Sequence, residues 1–260
     1  MSDPTLYDLQ LHYSGASGTP ATSIGGAIHA NRLLSQSATG LTTLTGITIV
    51  DGLGNGVGAG TLTFTAATKL ITWTPFGGSQ GTAVDISVDG GYFVQGYNNG
   101  GGLCITVVAA SLPTSNVSNT ITLANVTQQM FLDQTKAESN AGVTKYHCFY
   151  IKNAHATLPM VAVKAYIAEN TNGADTCTIW LDPLVAGTGA VGNTPVANEN
   201  TAPSGSTFVA PDSITHADVL AIGTLTAGQC RAIWVKQLTP AGIDVATLAN
   251  TFKVGVYLKA

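Results

Sequence analysis

Gly77-Gly78-Ser79-Gln80-Gly81 has the G-x-S-x-G spacing of a serine nucleophile. In hydrolases that spacing works because the serine sits on a strained strand-to-helix turn, with its hydroxyl held exposed beside a base. Here Thr82-Ala83-Val84-Asp85-Ile86 follows and reads as a strand, so a loop serine is expected. Gly52-Leu53-Gly54-Asn55-Gly56-Val57-Gly58-Ala59-Gly60 lacks the G-x-G-x-x-G register and carries no Gly-Lys-Ser/Thr, so it reads as a hairpin loop and not a phosphate cradle. The histidines His12, His29, His147, His155 and His216 show no metal-ligand spacing on a helix. His147, beside Cys148 in a strand-like run, is expected to face solvent or a subunit contact. Asp85 and Asp89 could line a calcium loop, but the dense acidic pattern of an EF-hand is missing. No catalytic, cofactor-binding or metal-binding residue is assigned.

Aromatic residues offer a different chemistry. Trp73, Phe76, Tyr92, Phe93 and Tyr97 stand near glycine-rich loops. An exposed group there could stack on sugar rings or on a partner protein, so Tyr92, Phe93 and Tyr97 are candidate surface-binding residues. Core packing of a small β domain is the plainer role for the same residues.

Composition narrows the function classes. Only 9% of the 260 residues are charged and 45% are hydrophobic, against about 25% charge in an average soluble domain. A surface so neutral suits a protein packed against copies of itself or its neighbours. The net charge of −4 gives no basic excess for binding nucleic acid. No hydrophobic run is long enough to cross a membrane as a helix. The opening Met1-Ser2-Asp3-Pro4 has neither basic nor apolar leader character, so folding in a cytoplasm is expected. Cys104, Cys148, Cys177 and Cys230 are then expected to be reduced, core-filling thiols. The sequons at Asn116 and Asn125 are accidental on the same reading.

These residues need elements to position them, and the patterning is all-β. Residues 1–40 read as an N-terminal arm or first strand, with one strand-like piece, Leu6–Tyr13, then a Ser/Gly/Thr/Pro loop and Ile24-Gly25-Gly26-Ala27-Ile28. Residues 41–112 read as a small antiparallel β domain. Its alternating runs are 61–65, 70–74, 84–88 and 103–107, with Asp51-Gly52, Asn55-Gly56, Asp89-Gly90 and Asn98-Asn99-Gly100 as turns. Leu112-Pro113-Thr114-Ser115 reads as a linker. Residues 113–260 read as an Ig-like β-sandwich, with strands at 120–126, 145–152, 161–167, 177–181, 231–238 and 251–258. Phe252, Val254, Val256 and Leu258 should share one face of the last strand. Helix is expected only as turns near 130–141 and 241–248.

A resemblance enters through the third stretch. Ala137-Glu138-Ser139-Asn140-Ala141-Gly142-Val143-Thr144-Lys145-Tyr146-His147-Cys148-Phe149-Tyr150-Ile151-Lys152-Asn153-Ala154-His155 resembles a stretch common in virion structural proteins of tailed bacteriophages. So do Val161–Ile167, Val196–Gly205, Leu225–Lys236, and the opening Leu11–Gly15 with Ile24–Ala27. Lys145 and His147 stand where that group usually has an acid and an arginine. The resemblance spans roughly 1–35 and 116–258, with the middle stretch as an insertion. It implies a structural, non-enzymatic role: capsid decoration, or a neck, tail or baseplate piece. It implies a homo-oligomer docked on other virion proteins, made in the host bacterial cytoplasm and resident in the virion. An alternative is a receptor- or glycan-binding module on the same particle, using 41–112 to contact host surface glycan. An enzyme is the weakest reading, since acid, base and nucleophile do not converge.

Overall fold

The computed structural model describes residues 9–33, 36–52, 58–97, 101–125, 131, 134–155, 157–170, 174–186, 195–243 and 252–259. The chain divides into two units, Met1–Leu33 with Gln129–Ala260, and Leu34–Gln128. In chain order β1 (Leu9–Ser14) and β2 (Ile28–Arg32) belong to the first unit. The second unit holds β3 (Gln36–Thr39), β4 (Ile47–Asp51), β5 (Gly58–Thr65), β6 (Leu70–Thr74), β7 (Val84–Asp85), β8 (Gly90–Gln95), β9 (Gly102–Val107) and β10 (Val117–Asn125). The first resumes with helix α1 (Lys136–Ala141), then β11 (Val143–Asn153), β12 (Met160–Asn170), β13 (Thr176–Ala186), β14 (Leu220–Leu225), β15 (Cys230–Thr239) and β16 (Phe252–Lys259). The protein is all-β, and its strand pairings are antiparallel.

In the first unit, one sheet runs β13-β15-β11-β1-β2 and a second runs β14-β12-β16. Alternate residues of a strand point to opposite faces. On β11, Phe149 and Ile151 enter a core shared with Met160, Val163 and Ala165 of β12 and Leu220 and Ile222 of β14. Cys148 and Tyr150 point the other way, where Cys230, Ala232 and Trp234 of β15 join them. That outer face is covered by Ile28, Val196 and Phe208. Val196 N–H donates to the Ile24 carbonyl at 2.9 Å, which ties the covering segment down.

In the second unit, one sheet runs β3-β10-β5-β6-β7 and the other β4-β9-β8. Leu62, Phe64, Ile71 and Trp73 of the first meet Ile47, Val94, Leu103 and Ile105 of the second in one core. Asn119 on β10 closes it at the side. Its Oδ1 accepts the backbone N–H groups of Thr42, Thr43 and Leu44 at 3.2, 3.2 and 3.1 Å.

Several expectations change. The strand expected at 120–126, in the third stretch, is β10, and it pairs with β5 and β3 in the second unit. The second unit is thus wider than 41–112, because its largest sheet needs β3 and β10 from beyond those bounds. The first 40 residues divide between the units. β1 lies inside a sheet, between β11 and β2, and not at a free end. Before β2 begins at Ile28, Gly25 and Gly26 take φ of 95° and 88°, in the left-handed region that favours glycine. The run at 84–88 stops after Asp85, where the Asp85 carboxylate accepts the Ser87 N–H and the Ile86 N–H turns to the Lys69 carbonyl. The expected helical turn near 130–141 is α1. The one near 241–248 falls mostly outside the described residues, as do Asn55-Gly56 and Asn98-Asn99-Gly100. Val254 and Val256 pack on the core as expected, while the side chains of Phe252 and Leu258 lie outside the described residues. No helix among the described residues is long and apolar enough to cross a membrane.

Candidate functional site

The densest group of titratable side chains lies at one end of the first unit's core. Lys145 and His147 follow the same face of β11 as Phe149 and Ile151, and are 1% and 0% exposed. Lys145 Nζ lies 2.9 Å from Glu199 Oε1 and 3.5 Å from Glu138 Oε1. His147 Nε2 donates to the other Glu199 oxygen at 3.1 Å, and Phe131 sets its ring edge-on to the imidazole, 4.7 Å between centroids. Tyr146 N–H donates to the Glu199 carbonyl at 2.6 Å. One residue therefore supplies three contacts to consecutive positions of a strand. His147 is buried and not at the surface, because it lies on the core-facing side of β11 with Phe149 and Ile151, where Glu199 and Phe131 pack against it.

Glu138 reaches this cluster from α1 with a second task. Its Oε2 accepts the Thr135 N–H at 2.7 Å, while the Thr135 hydroxyl accepts the Glu138 N–H at 3.2 Å. This reciprocal cap satisfies helix-end donors. The Thr135 backbone hydrogen bond, with Lys145 contributing, holds the Glu138 carboxyl below its ordinary range against the opposing effect of burial. Thr135-Lys136-Ala137-Glu138 is a readable capping signal. Glu199 gives no such signal, being 52 residues from His147. Chemically the cluster is a closed ion-pair network. A buried ammonium held between two carboxylates is a poor nucleophile.

The remaining candidates are dispersed. His12 is buried, and its Nδ1 donates to the His29 carbonyl at 2.9 Å, joining β1 to β2. Burial first, then the charges of Lys152 and Arg32, take its pKa down to about 4 in spite of that bond. His155 Nδ1 accepts the N–H groups of Thr157 and Leu158, and His216 Nδ1 that of Asp218, so both serve turns. Among the described residues no group of three His, Cys, Asp or Glu could hold a metal ion. Asp85 and Asp89 accept different backbone N–H groups, from Ser87 and Ala109. The four cysteines are buried. Burial, with Asp175 beside it, pushes the Cys177 thiol up to about 12.

Ser79 sits in a two-residue antiparallel bridge with Tyr97, and no helix follows Gly81. The strand-to-helix elbow that a nucleophile needs is therefore missing. Of the aromatic candidates, Tyr92 and Phe93 are consecutive on β8 and point to opposite faces. Tyr92 packs partly on the core and donates its hydroxyl to the Val88 carbonyl at 2.8 Å. Phe93 lies against Gly102, where an added Cβ would come within 2.2 Å of its ring. Tyr97 is 43% exposed, and its hydroxyl meets that of Thr82. Phe76, which the sequence reading did not select, is 57% exposed.

No protein-family model, curated protein or solved structure matches this chain. Function therefore rests on the residues themselves.

Proposed function

We propose that this chain is a structural component of a bacteriophage virion, acting by symmetric self-assembly and docking on other virion proteins. The observation that carries this reading is where the phage-like stretches fall. Leu11–Gly15, Ile24–Ala27, Lys145–Asn153, Val161–Ile167, Val196–Gly205 and Leu225–Lys236 all belong to the first unit. They supply parts of β1, β11, β12 and β15 and the segment that covers the five-stranded sheet. Stretches far apart in sequence thus form one packed body, the behaviour expected of a domain pattern.

We read that unit as an Ig-like β-sandwich, supported by its two antiparallel sheets over one core. Its sheets end in β2, β14 and β16, and strand edges of this kind can pair across subunits. The edge of β13 is already occupied, since Ile179 and Val209 exchange backbone hydrogen bonds of 2.8 and 2.9 Å. With 9% charged residues, contacts between copies strip little charge of its water. The closed ion-pair network suits a load-bearing part better than a catalyst. Light scattering on the purified chain, and copy counting in an electron-microscopy map of intact particles, test the proposal. A defined oligomer present at symmetric copy number is expected. A monomer missing from particles would overturn it.

A second reading, a receptor- or glycan-binding role for the middle unit, draws on the exposed rings of Phe76 and Tyr97.

A further inference from the structure

We infer that Phe76 and Tyr97, with Ser79, Gln80 and Thr82, form a binding site for a neutral saccharide on the second unit. The inference rests on the binding-module reading of that unit and is independent of the virion role. Phe76 and Tyr97 extend from opposite sheets of one core, after β6 and after β8. Two contacts join the segments that carry them. Ser79 and Tyr97 exchange backbone hydrogen bonds of 3.0 Å each, and the turn that bears Phe76 closes with Gly78 N–H on the Pro75 carbonyl at 3.0 Å.

The Phe76 ring and the segments around it are seated by close backbone approach. A Cβ on Gly58 would lie 2.8 Å from the Phe76 ring, and one on Gly60 2.2 Å from Trp73. A Cβ on Gly78 would meet the Tyr97 carbonyl at 2.4 Å, and one on Gly96 would meet Pro75 at 2.2 Å. Gly58 and Gly60 let the β5 backbone press against the Phe76 and Trp73 rings, and Gly78 and Gly96 let the two ring-bearing segments approach each other. Phe76 is therefore fixed from beneath while 57% of it stays in solvent. Ordering such a ring on a ligand costs little entropy.

Charge selects the ligand. Residues 70–84 and 90–97 contain no Asp, Glu, Lys or Arg. A surface without formal charge offers nothing to a phosphate, a sulfated polymer or a basic peptide. It does offer two aromatic faces for the C–H faces of sugar rings. The exposed side chains of Ser79, Gln80 and Thr82 beside them supply hydroxyl and amide groups for sugar hydroxyls.

The test is saturation-transfer NMR and calorimetry on the full chain with neutral malto-, cello- and chito-oligosaccharides, and with heparin and alginate as acidic comparators. At least one neutral probe should bind, with Phe76→Ala and Tyr97→Ala each weakening it about tenfold or more. Tyr97→Phe, which keeps the ring, should retain most of the affinity. Near-UV circular dichroism verifies folding. If a variant fails to fold, magnetisation transfer from the wild-type Phe76 and Tyr97 ring protons to the probe decides in its place. Binding that survives both alanine substitutions would overturn this site and leave the binding-module reading standing. Binding of acidic probes alone would overturn the neutral-ligand assignment. Binding of no saccharide would overturn both the site and a glycan role for the unit.

Discussion

Lys145 and Glu199 meet at 2.9 Å, with the lysine side chain only 2% exposed. Such burial is costly unless the charge is paired and hydrogen-bonded. Glu199 supplies the pairing, Glu138 adds a second carboxylate, and His147 shares the load on the far Glu199 oxygen. Charges on a helix, a strand and a covering segment thus hold one end of the first unit together.

Removing Glu199 alone should therefore damage folding more than replacing Lys145 and Glu199 together. Glu199→Ala is expected to lose about 3 kcal/mol, because it leaves the buried ammonium only its longer, 3.5 Å contact with Glu138. The Lys145→Met, Glu199→Leu pair should recover much of that loss. Urea unfolding of the single and double variants measures the difference, and a double variant as damaged as the single would contradict the account.

Asn119 offers the corresponding test in the second unit. Asn119→Ala leaves the Thr42, Thr43 and Leu44 N–H groups without their acceptor, with an expected loss of about 2–3 kcal/mol. Hydrogen exchange at these three amides should accelerate in the variant.

Two glycines should respond differently to alanine. At Gly81 a Cβ would lie 1.6 Å from the Gln95 carbonyl oxygen, so Gly81→Ala is expected to cost more than about 3 kcal/mol. At Gly77 nothing lies within 4 Å and only the φ of +67° opposes a side chain, so the cost should be about 1 kcal/mol. Paired thermal melts separate the two.

Acid should loosen the β1–β2 hairpin. His12 has a folded-state pKa of about 4 against an ordinary 6.5, so as pH falls the unfolded chain takes up the proton first. This contribution to stability is intact above pH 6.5 and is lost as the pH falls towards 4, by about 1–2 kcal/mol after solvent screening. Glu138, with its pKa depressed, adds a loss of the same sign at lower pH. Urea midpoints across pH 7 to 4 measure the slope, and His12→Leu should flatten its upper part.

The thiols should be silent in the folded protein. All four are buried, and Cys177 titrates only near 12. A colourimetric thiol reagent at pH 8 should count none in the native protein and four after unfolding.

Period-two alternation was enough to place most of the long strands. Leu70–Thr74 has the same bounds in both readings, because a half-buried strand writes its two faces into its residues. β2, β3, β4, β8 and β14 escaped, and for β3 and β8 the composition shows why. Gln36-Ser37-Ala38-Thr39 is polar, and Gly90-Gly91 opens β8 with no side chains to alternate. β10 was seen as a strand but put with the wrong neighbours, since alternation describes a face and not the partner across it.

The sites divide the same way. Local chemistry determined that the cysteines would be core thiols and that a helical turn would fall near 130–141. Tertiary structure alone decided that Glu199 would bury His147 and Lys145, and that Phe76 would be left in solvent while Trp73 was enclosed. A strand's periodicity is carried by adjacent residues, but pairing of charges and covering of faces depend on segments that only the folded chain brings together.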